Sequence, residues 1–180
     1  MSELVKKFRE AYKGVPQKKL EDMYYVMLND IGVCYSNKNI QKLLGLCQAS
    51  LALLEPLIKW TKKEMGSFLI TSIPAIEYGC RLWAVMGAGG QLDNIKEVVE
   101  YFPELKPWRK DVEKAYIMKE MASKIYKYLK VNNSCLQKDL KKILEYNDGR
   151  LIASTVHYMT VVGKIEKKDR GNTNLLTIKQ

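Results

Sequence analysis

Few residues in this sequence have the types and spacing that enzyme chemistry requires. His157 is the only histidine, so any Ser-His-Asp or Cys-His arrangement would have to use it. No GxSxG, HExxH or paired-aspartate motif occurs, and the acidic residues lie in segments dense with lysine, which is typical of solvated helix faces. The sequence therefore predicts a protein that is not an enzyme.

Metal and cofactor chemistry are not expected either. The cysteines are scattered, and with a single histidine they complete no zinc-finger pattern: Cys34, Cys47, Cys80 and Cys135. Reduced thiols favour a cytoplasmic location, or a nuclear one in a eukaryote. The charged N-terminus is unlike a signal peptide, and no long apolar run predicts a membrane span.

A glycine-rich segment, Gly87-Ala88-Gly89-Gly90, has the outline of a dinucleotide-binding turn because it joins an apolar run to a predicted helix. The third glycine of that motif is replaced by Leu92, and the segment that follows, YFPELKPW, does not resemble a second strand. We therefore interpret these glycines as a flexible loop between helices.

Charge distribution is the clearest functional signal. The chain has a formal net charge of +10. Residues 119–180 contain 11 Lys and 2 Arg against 6 acidic residues, a net charge of +7 on about a third of the chain. A local excess of this kind suits a polyanionic partner, either nucleic acid or an anionic membrane, although it also keeps proteins soluble.

The elements that would position these cations are mostly helical. Apolar spacing predicts helices over residues 3–13 and 17–31, from about 40 to a break at Pro56, and over about 108–131. Ser36 or Asn37 is expected to cap the helix near residue 40, and Asp93 the helix that contains NIKEVVEYF. Residues 1–118 thus read as a helical bundle or a set of helical hairpins.

Residues 119–180 follow a different plan. Ser134 and Gln137 form an S-x-x-Q pattern that predicts the start of a second helix after the long one. A third helix is predicted from about Arg150 to Val162, ending at Gly163. KIEKK and LLTIK then predict two short strands joined by the turn-rich DRGNTN.

The third helix has an unusual outer face. Helical spacing brings together on this face Arg150, Ser154, His157, Val161 and Lys164, none of which is acidic. An idle solvent face would carry Glu or Asp among its lysines. Three helices followed by an antiparallel hairpin predict a winged helix-turn-helix, with the hairpin as the wing.

The segment STVHYMTVVGKIEKKDRGNTNLLTIK resembles the recognition helix and wing of winged-helix transcription regulators. The resemblance rests on three elements: Ser154-Thr155-Val156, Met159 with Gly163, and Ile165 with Lys167 and Lys168. The segment departs from this family at the longer, polar turn LEYNDG and at Thr160 and Val161, where many relatives carry charges. The predicted fold class is thus mainly α, with a helical domain over 1–118 and a winged-helix domain over 119–180.

The function expected is duplex DNA binding, consistent with a transcriptional regulator. Base contacts are expected from Arg150, Ser154 and His157, and phosphate contacts from Lys138, Lys164, Lys167, Lys168 and Arg170. The alternative is a helical scaffold of the PCI type, which joins helical hairpins to a winged helix and binds protein or RNA-associated partners. In either case the N-terminal helices are expected to mediate homodimerisation or partner docking.

Overall fold

The computed structural model describes residues 3–67, 70 and 72–179. These form two compact units: Met1–Cys80 with Asp93–Val112 (unit 1), and Arg81–Leu92 with Glu113–Gln180 (unit 2). The described part of the chain is mostly helical and ends in a three-stranded antiparallel sheet.

The first seven helices precede the sheet. They are α1 (Glu3–Ala11), α2 (Gln17–Ser36), α3 (Ile40–Ala52), α4 (Leu54–Met65), α5 (Cys80–Met86), α6 (Gly89–Tyr101) and α7 (Arg109–Asn132). A π-helical turn at Ala75–Gly79 leads into α5, and a 3-10 turn at Pro103–Trp108 leads into α7. The predicted long helix over 108–131 is thereby confirmed as α7.

Unit 1 is held together by its apolar helix faces and by polar contacts between its elements. α2 packs against α3 and α4, and the hydroxyl of Tyr24 donates to the carbonyl of Ser72 at 2.7 Å. The Arg9 guanidinium binds the Glu55 carboxylate through two hydrogen bonds of 2.7 Å. This pair attaches the short α1 to α4, since an isolated helix of this length would be marginal in water.

Three helix boundaries of unit 1 were predicted wrongly. α2 continues to Ser36, and Asn39, rather than Ser36 or Asn37, caps α3 by accepting from the Lys42 N–H at 3.3 Å. The break expected at Pro56 lies at Leu53, where α3 and α4 meet at a bend of 51°. Pro56 fits the first turn of α4 because the N–H it lacks would have no helical partner there.

A fourth boundary error concerns α6, which begins at Gly89 and contains Asp93 in its interior. Only Gly87 and Ala88 separate α5 from α6, so the flexible loop expected at Gly87–Gly90 is a tight two-residue connection. Gly87 has φ of +83°, a left-handed conformation that glycine adopts without the steric cost of a Cβ.

The C-terminal part of unit 2 alternates helices and strands. After α7 come β1 (Ser134–Leu136), a 3-10 turn at Gln137–Asp139, α8 (Leu140–Leu144), α9 (Gly149–Val161), β2 (Ile165–Asp169) and β3 (Asn174–Ile178). The third helix and the hairpin predicted from the sequence are both present. β3 is the central strand, with β1 and β2 antiparallel on either side.

The predicted capping box at Ser134 is wrong. Ser134 pairs with Thr177 in the sheet, and the side chain of Gln137 accepts from the Asn174 amide at 3.0 Å. Tertiary strand pairing thus replaces the local helix signal. The helix starts only at Leu140.

All four cysteines are free and buried, and burial raises the pKa of Cys47 to about 12, which makes its thiol a poor nucleophile. Over the described residues, no single helix is long and apolar enough to span a membrane. The helices α3 and α4 reach that length only when the bent pair is counted together.

Candidate nucleic-acid interface

The exposed surface of α9 contains no acidic side chain. Arg150, Ala153 and His157 are exposed and Ser154 is half-buried, and we call these four residues the outer face of α9. Small residues at 153 and 154 leave the helix backbone accessible between the longer Arg and His side chains. A surface of this shape and composition can approach a polyanion closely.

The opposite side of α9 explains why the helix forms here. Its buried side chains occur at helical spacing, and the Thr155 hydroxyl donates to the Leu151 carbonyl at 2.8 Å, so this buried hydroxyl is satisfied. Asp148 caps the N-terminus by accepting from the N–H groups of Arg150 and Leu151, both at 3.0 Å. The outer face is therefore presented by a rigid, capped helix.

The connecting loop of the hairpin is tied to the turn that precedes α8. The Lys138 N–H donates to the Thr173 hydroxyl at 3.2 Å, and the Asn174 amide donates to Gln137 at 3.0 Å. Between this loop and the start of α9 lies a groove of about 260 Å³, lined by Gln137, Lys138, Lys141, Gly149, Ile152, Asn172, Thr173 and Asn174. The hairpin loop and the N-terminal end of α9 thus border a common polar groove.

One lysine at this groove, Lys141, was missed by the sequence analysis. Lys141 and Lys142 are both exposed on α8, but only Lys141 lines the groove, whereas Lys142 lines a separate groove with Asp139. The side chain of Lys141 crosses the first turn of α9, 3.1 Å from where a Cβ on Gly149 would lie. Lys138 and Lys141 are three residues apart, a spacing that was visible in the sequence and that brings two side chains close together on a helix.

The lysines of β2 do not point the same way. Lys167 pairs with buried Leu176, on the same sheet face as Ile165, whereas Lys168 pairs with Leu175 on the other face. Because β2 packs against α9, and Ile165 is the buried residue of β2, Lys167 emerges on the side of the sheet nearer α9. Lys168 instead lines a groove of about 620 Å³ together with Glu166.

Arg170 lies in the turn at the end of the hairpin. Its N–H donates to the Thr173 carbonyl at 2.9 Å, and the Asp169 carboxylate accepts from the Gly171 N–H at 2.9 Å. Gly171 has φ of +72°, so the turn depends on glycine. The Arg170 side chain is exposed beyond this ordered turn.

Lys164 does not join the outer face as expected. Its ammonium donates to the Met86 carbonyl at 3.2 Å and lies 5.9 Å from the centre of the Tyr126 ring. Burial lowers the pKa of Lys164. Because its ammonium is bound to a carbonyl within unit 2, Lys164 is not part of the candidate interface.

His157 is exposed and makes an edge-to-face contact with Tyr158, at 5.2 Å between ring centres. Beneath it, Tyr158 is buried, and the Arg81 guanidinium lies 5.9 Å from the Tyr158 ring centre. This ring contact places the exposed imidazole of His157 next to the buried Tyr158.

Within the part of the chain that the structure describes, no group of His, Cys, Asp or Glu side chains could hold a metal ion. Comparison of this chain with protein-family models, with curated proteins and with solved structures gave no match.

Proposed function

We propose that residues 119–180 form a winged helix that binds duplex DNA, with α9 as the recognition helix and the β2–β3 hairpin as the wing. The chain would then act as a DNA-binding protein of the kind used in transcriptional regulation. The observation that carries the proposal is the acid-free outer face of α9 beside a basic groove and hairpin.

The order of elements supports this assignment. A helix, a short strand, two helices and a hairpin follow one another from α7 to β3, and the first strand pairs with the last. In helix-turn-helix proteins the second helix of the motif enters the major groove. Here α9 holds that position in the chain.

The chemistry of the side chains supports a division of labour. Arg150 can donate two parallel hydrogen bonds to the major-groove edge of guanine, and Ser154 and His157 can hydrogen-bond to neighbouring bases. Lys138, Lys141, Lys167 and Arg170 would bind phosphates, because exposed cations gain affinity by releasing counterions from DNA. Phosphate contacts fix the register, and base contacts select the sequence.

A salt series on the intact chain tests the proposal. Binding to a random-sequence duplex should weaken between about 50 and 200 mM salt, with a slope in log K against log salt of roughly −0.9 per phosphate neutralised. The triple variant K138Q/K167Q/R170Q should lower the size of that slope by about 2–3. Fluorescence anisotropy with labelled duplex measures both quantities.

A matched control separates a local interface from net charge. K7Q/K106Q/K110Q also removes three positive charges, but from exposed lysines of unit 1. It should leave the salt slope nearly unchanged. Equal losses in both triple variants would show non-specific attraction and count against the proposal. Absence of salt-dependent binding to any duplex would favour the alternative, an adaptor that uses a winged helix to dock on proteins.

A further inference from the structure

The helix α2 is apolar on two sides, which a helix at the surface of a monomer does not need. One side supplies the buried residues Leu20, Tyr24, Ile31 and Cys34. On the other side Tyr25, Val26 and Val33 are 54%, 62% and 52% exposed. They are three of the six large apolar side chains that are exposed in the described part of the chain, and they share one helix.

These side chains form a continuous stripe. Tyr25, Val26, Asn29 and Val33 lie at i, i+1, i+4 and i+8, so they occupy one face over about 12 Å of helix. Gly32 lies on the same face, and an added Cβ there would meet nothing within 4 Å. We call these five residues the α2 stripe. Contiguous exposed apolar surface rimmed by polar residues marks an interaction site.

We propose that the α2 stripe is a homodimer interface, in which α2 of two copies pack antiparallel about a two-fold axis at Asn29. Tyr25 of one copy then faces Val33 of the second copy, and Gly32 lets the two backbones approach. This interface is independent of the proposed DNA binding.

The central Asn29 of the stripe favours a second copy over another occupant. A residue on a two-fold axis meets itself, so a charged side chain there would repel its mate. Asn29 is self-complementary, because its amide donates to and accepts from an identical amide. A single central Asn is also the device that sets register and orientation in paired helices.

Charges at the two ends of the stripe are complementary under the same symmetry. Asp22, bound to Lys18 at 3.2 Å and 62% exposed, lies at the N-terminal end. Lys38 is exposed two residues beyond the C-terminal end of α2. Antiparallel packing brings Asp22 of each copy towards Lys38 of the other, whereas parallel packing would place like charges together. The antiparallel helix dipoles agree with this orientation.

Sedimentation of the intact chain tests the oligomeric state. The wild-type chain should sediment as a dimer, and V26K/V33K should raise the dimer dissociation constant by about a hundredfold or more, since two apolar anchors become charged. V131K is the matched control because Val131 is 81% exposed on α7, outside the stripe. It should remain dimeric, and circular dichroism should show that all three chains are folded.

Cysteine cross-linking tests the axis itself. Facing residues on paired helices come within the Cα separation that a disulfide requires. N29C should therefore form a reducible dimer under mild oxidation, whereas V131C and the wild-type chain, whose own cysteines are buried, should not. A wild-type monomer at all concentrations, or a dimer unaffected by V26K/V33K, would overturn the proposal. A dimer in which V131C cross-links and N29C does not would overturn the axis.

Discussion

At the scale of single residues, the position of each charge matters more than its presence in the sequence. Lys167 and Lys168 are neighbours in the chain, yet they leave β2 on opposite faces of the sheet. Lys164 lies just beyond the C-terminal end of α9, and its ammonium donates to the Met86 carbonyl. Three lysines that look equivalent in the sequence therefore have different opportunities to meet a phosphate.

The two lysines of β2 give a direct test. K167Q should weaken duplex binding by about threefold to tenfold and lower the size of the salt slope by about 1, because Lys167 emerges on the sheet face nearer α9. K168Q should change both quantities much less, since Lys168 lies on the other face beside Glu166. Anisotropy titrations of the two variants, which carry the same net charge, make the comparison. A larger effect from K168Q would mean that the other face of the hairpin approaches DNA.

At the scale of elements, the presentation of α9 depends on its N-terminal cap. D148A removes the acceptor for the Arg150 and Leu151 N–H groups and should destabilise the protein by about 1 kcal/mol. D148N keeps a good capping side chain but removes the charge next to Arg150. It should be nearly as stable as the wild type and bind duplex more tightly.

Denaturant unfolding measures the stability of both Asp148 variants, and anisotropy measures their binding. If D148N were as destabilised as D148A, the capping hydrogen bonds of residue 148 would not account for the lost free energy of unfolding. Unchanged duplex affinity in D148N would mean that the end of α9 near Arg150 lies away from phosphate.

At the scale of the whole molecule, the internal ion pairs of Glu55 and Glu104 and the candidate interface lie in different units of the chain. The described cations of unit 2 include those of the candidate interface, whereas unit 1 uses Arg9 and Lys62 in internal pairs with Glu55 and Glu104. Burial raises the pKa of Glu55, but the hydrogen bonds from Arg9 and Lys59 outweigh it, and the pKa lies below its usual value. The hydrogen bond from Lys62 lowers the pKa of Glu104.

These shifts predict how unit 1 responds to acid. A carboxyl group whose pKa is lowered on folding stabilises the folded state above its unfolded pKa, and this contribution is lost as the pH falls through the folded pKa. E55Q should therefore be less stable than the wild type at neutral pH, and the difference should shrink as the pH falls below about 4.5. Unfolding free energies measured across that range check this. The exposed variant E97Q should follow the wild type throughout, and a difference for E55Q that stayed constant with pH would contradict the role of the carboxylate.

Local patterns determined much of the architecture before any contact was known. The apolar periodicity of residues 150–162, with Gly163 after it, predicts α9, and the alternation around DRGNTN predicts the hairpin, since both signals lie within a few residues along the chain. The acid-free face of α9 follows from the same helical spacing.

Tertiary structure alone decided the remainder, because it depends on groups far apart in the sequence. Ser134 carries a helix-capping signal, but pairing with Thr177 makes it part of a strand. Lys164 appears free in the sequence, but a carbonyl 78 residues away binds it. The α2 stripe is exposed only because the other side of α2 fills the core of unit 1, and periodicity shows that a face is apolar without showing which partner covers it.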